Sequence, residues 1–124
     1  MSGTSETRIF VKMYVDAVKS GLLADMGAER WHTLCAIASY MNAKGECYPT
    51  QEQIARGVGT SRTAASKRIK RLLDYRWDNK PVITALKKRS GKGTWENTIY
   101  TIMPISQLAI FNNGGDQNNQ DSTA

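Results

Sequence analysis

The chain has 124 residues and a formal charge of +6, with 17 Lys and Arg against 11 Asp and Glu. That length buries one small core and no more. No apolar run reaches the length of a bilayer span: the stretch 9–18 is interrupted by Lys12 and Asp16, and no signal peptide opens the chain, so a cytoplasmic protein is expected.

Residues 1–8 read as a flexible start, and 9–111 as one domain. Within 9–23 two patterns compete. Phe10, Met13, Tyr14, Ala17 and Val18 fit one helical face, whereas Val11, Met13 and Val15 alternate as in a strand; the helix is the favoured reading, with a short extended piece before it. The stretch 28–42 (AERWHTLCAIASYMN) is an amphipathic helix whose stripe holds Trp31, Leu34, Cys35, Ala38 and Met41, joined by Ile37. Lys44-Gly45-Glu46 then makes a turn, and Cys47-Tyr48-Pro49 an extended link that could pair with a later strand.

The most informative segment is 50–77 (TQEQIARGVGTSRTAASKRIKRLLDYRW). Thr50 can cap a short helix opened by Gln51, Gln53, Ile54 and Ala55, and Gly57 and Gly59 supply the backbone freedom to leave it. Thr60 or Ser61 then caps a longer helix, expected over 61–75. Its buried stripe is Ala65, Ile69 and Leu72, with Leu73 beside them. Arg62, Thr63, Ser66, Lys67, Lys70 and Arg71 fall outside that stripe. A helix packed through small and aliphatic residues, presenting hydroxyls and cations, has the form of a major-groove reader behind a helix-turn-helix.

A hairpin is expected next, over 81–103. Pro81-Val82-Ile83-Thr84-Ala85-Leu86 suits a strand, and 94–102 returns as a second one until Pro104. The connection holds Lys87, Lys88, Arg89 and Lys92 with Gly91 and Gly93, a basic tip able to reach phosphates or a minor groove. Trp95 could touch nucleic acid there, although a tryptophan so placed more often packs beneath its hairpin. Residues 112–124 (NNGGDQNNQDSTA) have no apolar residue except the final alanine and read as a disordered tail or linker.

Charge is distributed unevenly. Residues 1–49 carry five cations and five acids and are neutral. Residues 50–77 carry seven cations against two acids, +5; residues 78–104 carry five against two, +3; the tail is −2. A polyanion partner explains this asymmetry better than solubility, and no strongly apolar face accompanies the basic helix to favour a membrane surface.

Other chemistry finds no support. Cys35, Cys47 and His32 lack metal-ligand spacing, and the cysteines read as reduced, largely buried thiols. No Ser/His/Asp set, carboxylate pair or phosphate-cradling loop stands out, and Gly91-Lys92-Gly93-Thr94 lacks the rest of a P-loop. Neither an enzyme nor a cofactor is expected.

The run from Gly21-Leu22-Leu23-Ala24-Asp25-Met26-Gly27 into a helix, followed by GECYPTQEQIARGVGTSRTAASKRIKRLL, resembles a known family. It looks like the winged-helix domain near the N-terminus of replication-initiation proteins of plasmids, phages and mobile elements in Gram-positive bacteria, related to DnaD-type primosomal proteins. The resemblance covers about 10–111, and is sharpest in CYPTQEQIA and SRTAASKRIKRLL. Asn97-Thr98-Ile99-Tyr100 is similar to the Asn-plus-Tyr pattern of that family's last wing strand. What the resemblance implies is an α+β winged helix-turn-helix, a three-helix core with a basic hairpin wing, binding origin or operator DNA and often dimeric. Such initiators commonly carry a further domain, and these 124 residues hold one.

The expected partner is therefore double-stranded DNA. Arg62, Thr63, Ser66 and Lys67 are candidates for base edges, being near the helix start. Ser61, Lys70, Arg71, Thr50 and Gln51 are candidates for phosphates, with Lys87, Lys88, Arg89 and Lys92 from the wing. The role expected is replication initiation. A transcriptional repressor is the first alternative, and a protein-interaction winged helix of a primosome-type scaffold the second. A homodimer and further replication partners are compatible with each.

Overall fold

In the computed structural model, which describes residues 8–89 and 96–112, the chain runs β1 (Ile9–Met13), α1 (Asp16–Lys19), α2 (Leu22–Met26), α3 (Ala28–Ala38), β2 (Glu46–Cys47), α4 (Gln51–Val58), α5 (Arg62–Asp74), β3 (Arg76–Trp77), β4 (Lys80–Pro81), β5 (Ile83–Arg89), β6 (Glu96–Ile102), a 3-10 turn at Pro104–Ser106 and β7 (Leu108–Asn112). Helices and antiparallel sheets combine as an α+β winged helix.

The helix favoured over 9–23 forms only in its second half, and the short extended piece expected before it is longer than the pattern suggests. Residues 9–13 are a strand instead, paired antiparallel with β7 from Ile9↔Asn112 to Met13↔Leu108. Their backbone groups bond to a segment about a hundred residues away in the chain, which local periodicity cannot report. Helix begins only at Asp16, and Gly21, at φ 93, separates α1 from α2. Ala17, Leu22 and Met26 from this region are fully buried.

α3 buries Leu34, Ile37 and Ala38, with Met41 beyond its end and Trp31 half-buried. Cys35, expected on the stripe, is exposed. The buried face is phased on Thr33, Leu34, Ile37 and Ala38, so position 35 is rotated away from it. Thr33 is tolerated in the core because its hydroxyl donates to the Glu29 carbonyl at 2.9 Å.

The next two helices are defined by their ends. Thr50 Oγ1 accepts from the Gln53 amide at 3.0 Å, and Gln53 Oε1 accepts from the Thr50 amide at 2.8 Å, a complete capping box. At the far end Gly59 is left-handed, φ 76, with the Thr60 amide donating to the Ala55 carbonyl at 2.9 Å. Gly57, expected to help the turn, lies inside α4; a Cβ there would stand 3.6 Å from Ala36 Cβ on α3. Ser61 caps α5, its Oγ accepting from the Ala64 amide at 3.1 Å. Ala65, Ile69 and Leu72 are buried as the spacing predicts. α5 covers 62–74, one residue inside the expected range at each end.

The wing is a three-stranded sheet in the order β2-β6-β5. Pairing in the hairpin runs from Ile83↔Ile102 to Arg89↔Glu96, so the strand continues through the lysines assigned to its tip. The link at 46–47 does pair with the wing, Glu46 and Cys47 lying opposite Thr101 and Tyr100. Pro81 does not begin the wing strand. It pairs with Arg76 in a separate two-stranded ladder, closed by Asp78 and Asn79 at φ 57 and 64, the backbone of a two-residue hairpin turn. Val82, Ile83, Tyr100 and Ile102 join Leu34, Ile54 and Leu72 in one core, which fixes the wing against the helices.

Of the start expected at 1–8, residues 1–7 lie outside the described residues, as do the tip from Ser90 to Trp95 with Lys92 and residues 113–124 of the expected tail. Asn112, assigned to that tail, is instead the last residue of β7, paired with Ile9.

Candidate nucleic-acid interface

α4 and α5 meet so that Gln51, Arg62, Thr63, Ser66 and Lys67 line one open concavity. The turn at Gly59 returns the chain so that the start of α5 faces the start of α4. Arg62 lies 4.0 Å from Glu52, with both side chains about two-thirds exposed. A pair so well solvated is weak and easily exchanged for another anion. Lys67 has no ion pair among the described residues. Thr63, Ser66 and Lys67 are exposed, and Thr63 and Lys67 stand one turn apart, as do Arg62 and Ser66.

The other predicted residues are placed less uniformly. The Thr50 and Ser61 hydroxyl oxygens are helix caps, accepting from backbone amides; each hydroxyl proton remains for a further acceptor. Lys70 is exposed and 3.8 Å from Asp74 across one turn. Lys87 is exposed on β5, and Lys88 and Arg89 are the last two residues of that strand.

Arg71 is held within the molecule. Its Nε and Nη2 donate to Glu29 Oε1 and Oε2 at 2.8 and 2.9 Å, a bidentate pair joining α5 to the first turn of α3. Arg68 Nε is 3.7 Å from the same carboxylate. The Arg71 hydrogen bond, helped by the charge of Arg71, Arg68 and Arg30, holds the Glu29 carboxyl below its ordinary range. Arg76 is likewise engaged: Nη1 donates to the Leu73 and Tyr75 carbonyls at 2.8 and 2.9 Å, closing the C-terminal end of α5.

The cations of 50–77 are thus not equivalent in the folded chain. Of the seven in 50–77, Arg71 and Arg76 are held by hydrogen bonds, Arg68 lies beside Glu29, and Arg56 is exposed on α4. Arg62, Lys67 and Lys70 face outward along the arc that includes Thr63 and Ser66, Arg62 and Lys70 next to exposed acids. Position around the helix carried a partial signal. Arg68 and Arg71 are three residues apart, within about 60° of each other, on the flank opposite Arg62 and Ser66. What lies against that flank is not local information.

Residues 33–77 match the family model of a helix-turn-helix domain. No curated protein and no solved structure gives a significant match. The matched region runs from the buried half of α3 to the end of β3, and holds both helices that line the concavity. A helix-turn-helix domain suggests DNA binding. Among the described residues no helix is long and apolar enough to cross a membrane.

Proposed function

We propose that this domain binds double-stranded DNA in a sequence-selective manner, with the N-terminal half of α5 in the major groove. The observation that carries the reading is the concavity where Gln51, Arg62, Thr63, Ser66 and Lys67 converge, all of them polar and two of them cationic. Arginine and lysine near a recognition helix start suit guanine edges, and hydroxyls suit several bases. Ser61, Thr50, Gln51 and Lys70 supply phosphate contacts, and Lys87, Lys88, Arg89 and Lys92 supply them from the wing. The activity proposed is binding without catalysis, in the cytoplasm.

The role proposed is replication initiation on a plasmid, phage or other mobile element. It rests on the resemblance carried by CYPTQEQIA and SRTAASKRIKRLL. A repressor would use the same domain, and the site it selects separates the two: a repeat-bearing origin or a promoter. One observation favours a second reading, self-association as in a primosome-type scaffold. Ile9, Val15 and Val18 are all more than half exposed and lie in the part of the chain that carries no net charge.

Fluorescence anisotropy on a random-sequence duplex and on the element's own origin and upstream DNA, each over a salt series, tests the proposal. Selective binding with a steep salt slope is expected, since each neutralised phosphate contributes about 0.9 to that slope. Weak binding indifferent to salt overturns it and leaves the self-association reading.

A further inference from the structure

We infer that Glu29 sets the sequence selectivity of this interface, by occupying the guanidinium of Arg71 and flanking that of Arg68 so that both cations are withheld from DNA phosphates. The inference rests on the DNA-binding reading and deepens it. A guanidinium fork matches a carboxylate and a phosphate by the same bidentate geometry. In this molecule the fork of Arg71 is filled from α3, at 2.8 and 2.9 Å, by a residue 42 positions away in the chain. Arg68 Nε lies 3.7 Å from Oε2 of the same carboxylate. One carboxylate therefore answers two cations on the flank of the recognition helix.

The arrangement is not explained by burial. The Arg71 and Glu29 side chains are 49% and 42% exposed, so neither needs the other as a partner in a dry interior. The consequence lies in what α5 shows to a polyanion. Phosphate contacts carry affinity that ignores sequence, while base contacts carry discrimination. With the Arg71 fork filled and Arg68 beside the same single negative charge, the cations of α5 more open to a polyanion are Arg62, Lys67 and Lys70, all on the arc that carries Thr63 and Ser66. Lys67 has no ion pair among the described residues, and Glu52 and Asp74, the acid neighbours of Arg62 and Lys70, are largely exposed. Binding to arbitrary DNA is held down, and a larger share of the free energy comes from the groove-facing arc.

Glu29→Gln tests this, because glutamine keeps the size and helix compatibility while removing the charge. On a random-sequence duplex the salt slope is expected to steepen by about 1 to 2, the equivalent of one or two added phosphates. Affinity at low salt is expected to rise about three- to tenfold, and the ratio of selected to random affinity to fall by a similar factor. The double variant Glu29→Gln/Arg71→Gln should lose most of that gain. Asp16→Asn removes an equal charge from α1 and should leave the slope unchanged, which separates release of the arginines from net charge alone. If Glu29→Gln does not fold, Glu29→Asp keeps the charge in the first turn of α3 but shortens its reach, and part of the steepening is expected. An unchanged slope in a folded Glu29 variant, with the unmodified protein binding DNA steeply, overturns the inference and leaves the DNA reading standing. If the unmodified protein shows no salt-dependent binding to any duplex, both fall.

Discussion

The Tyr75 phenol donates a hydrogen bond to Asp25 Oδ2 at 2.6 Å, tying the residue that ends α5 to α2, fifty positions earlier. Arg30 lies over the same ring, 5.2 Å from its centroid. Burial first, then the bond to Asp25, pushes the phenol above its ordinary pKa. Helix α5 is therefore held at its C-terminal end by a charge-assisted bond, in addition to the apolar contacts of Ile69 and Leu72.

Tyr75→Phe keeps the ring and removes the bond. A loss of about 1–2 kcal/mol is expected in urea unfolding, toward the range for bonds to charged groups. Because the folded pKa is raised, the advantage over Tyr75→Phe is full below the unfolded value of about 10. It shrinks as pH rises from there through the folded value. Unfolding of both proteins from pH 8 to 11 checks the sign; a difference that grows with pH contradicts it.

Gly45 and Gly59 share a left-handed backbone but not a neighbourhood. A Cβ at Gly45 would meet the Ile102 carbonyl oxygen at 3.1 Å, while one at Gly59 meets nothing within 4 Å. Gly59→Ala is expected to cost about 1–2 kcal/mol, the backbone penalty alone. Gly45→Ala should cost more, because it also disturbs the 2.8 Å bond from the Ile102 amide to the Gly45 carbonyl that anchors the wing. Equal losses on thermal unfolding would show that the wing gives way without cost.

The two thiols should be distinguishable. Burial raises both thiols, but Cys35 is exposed at the surface, whereas Cys47 is fully buried and pushed up to about 12. A disulfide reagent at neutral pH is expected to modify one thiol per chain in the native state and two in denaturant. Rapid modification of both in the native protein would place Cys47 at the surface.

For the interface itself, Arg62→Ala is expected to cost about 1–3 kcal/mol on the selected site and to relax its sequence preference, while Lys88→Ala weakens selected and random DNA alike. Competition binding with both duplexes gives the comparison. Equal losses on the two duplexes for both variants would remove the assigned roles.

The helix-turn-helix was legible because its signals are local. Thr50 with Gln53, Gly59, Ser61, and the spacing of Ala65, Ile69 and Leu72 each act within a turn or two of chain, and each stands where the spacing predicts. The wing strands were legible for the same reason, from β-branched runs and the stop at Pro104. Tertiary structure alone decided the rest. The strand at Ile9–Met13 is decided by its pairing with Leu108–Asn112, since its own residues fit a helix and a strand alike. Cys35 is exposed because the phase of α3 is set by what packs on Leu34 and Ile37. The cations of α5 are divided between the outward-facing arc and Glu29 by what lies on each flank of the helix. Hydrophobic periodicity and capping are carried by neighbours in sequence. Strand pairing and the neutralisation of a charge depend on residues that only folding brings within a few ångströms.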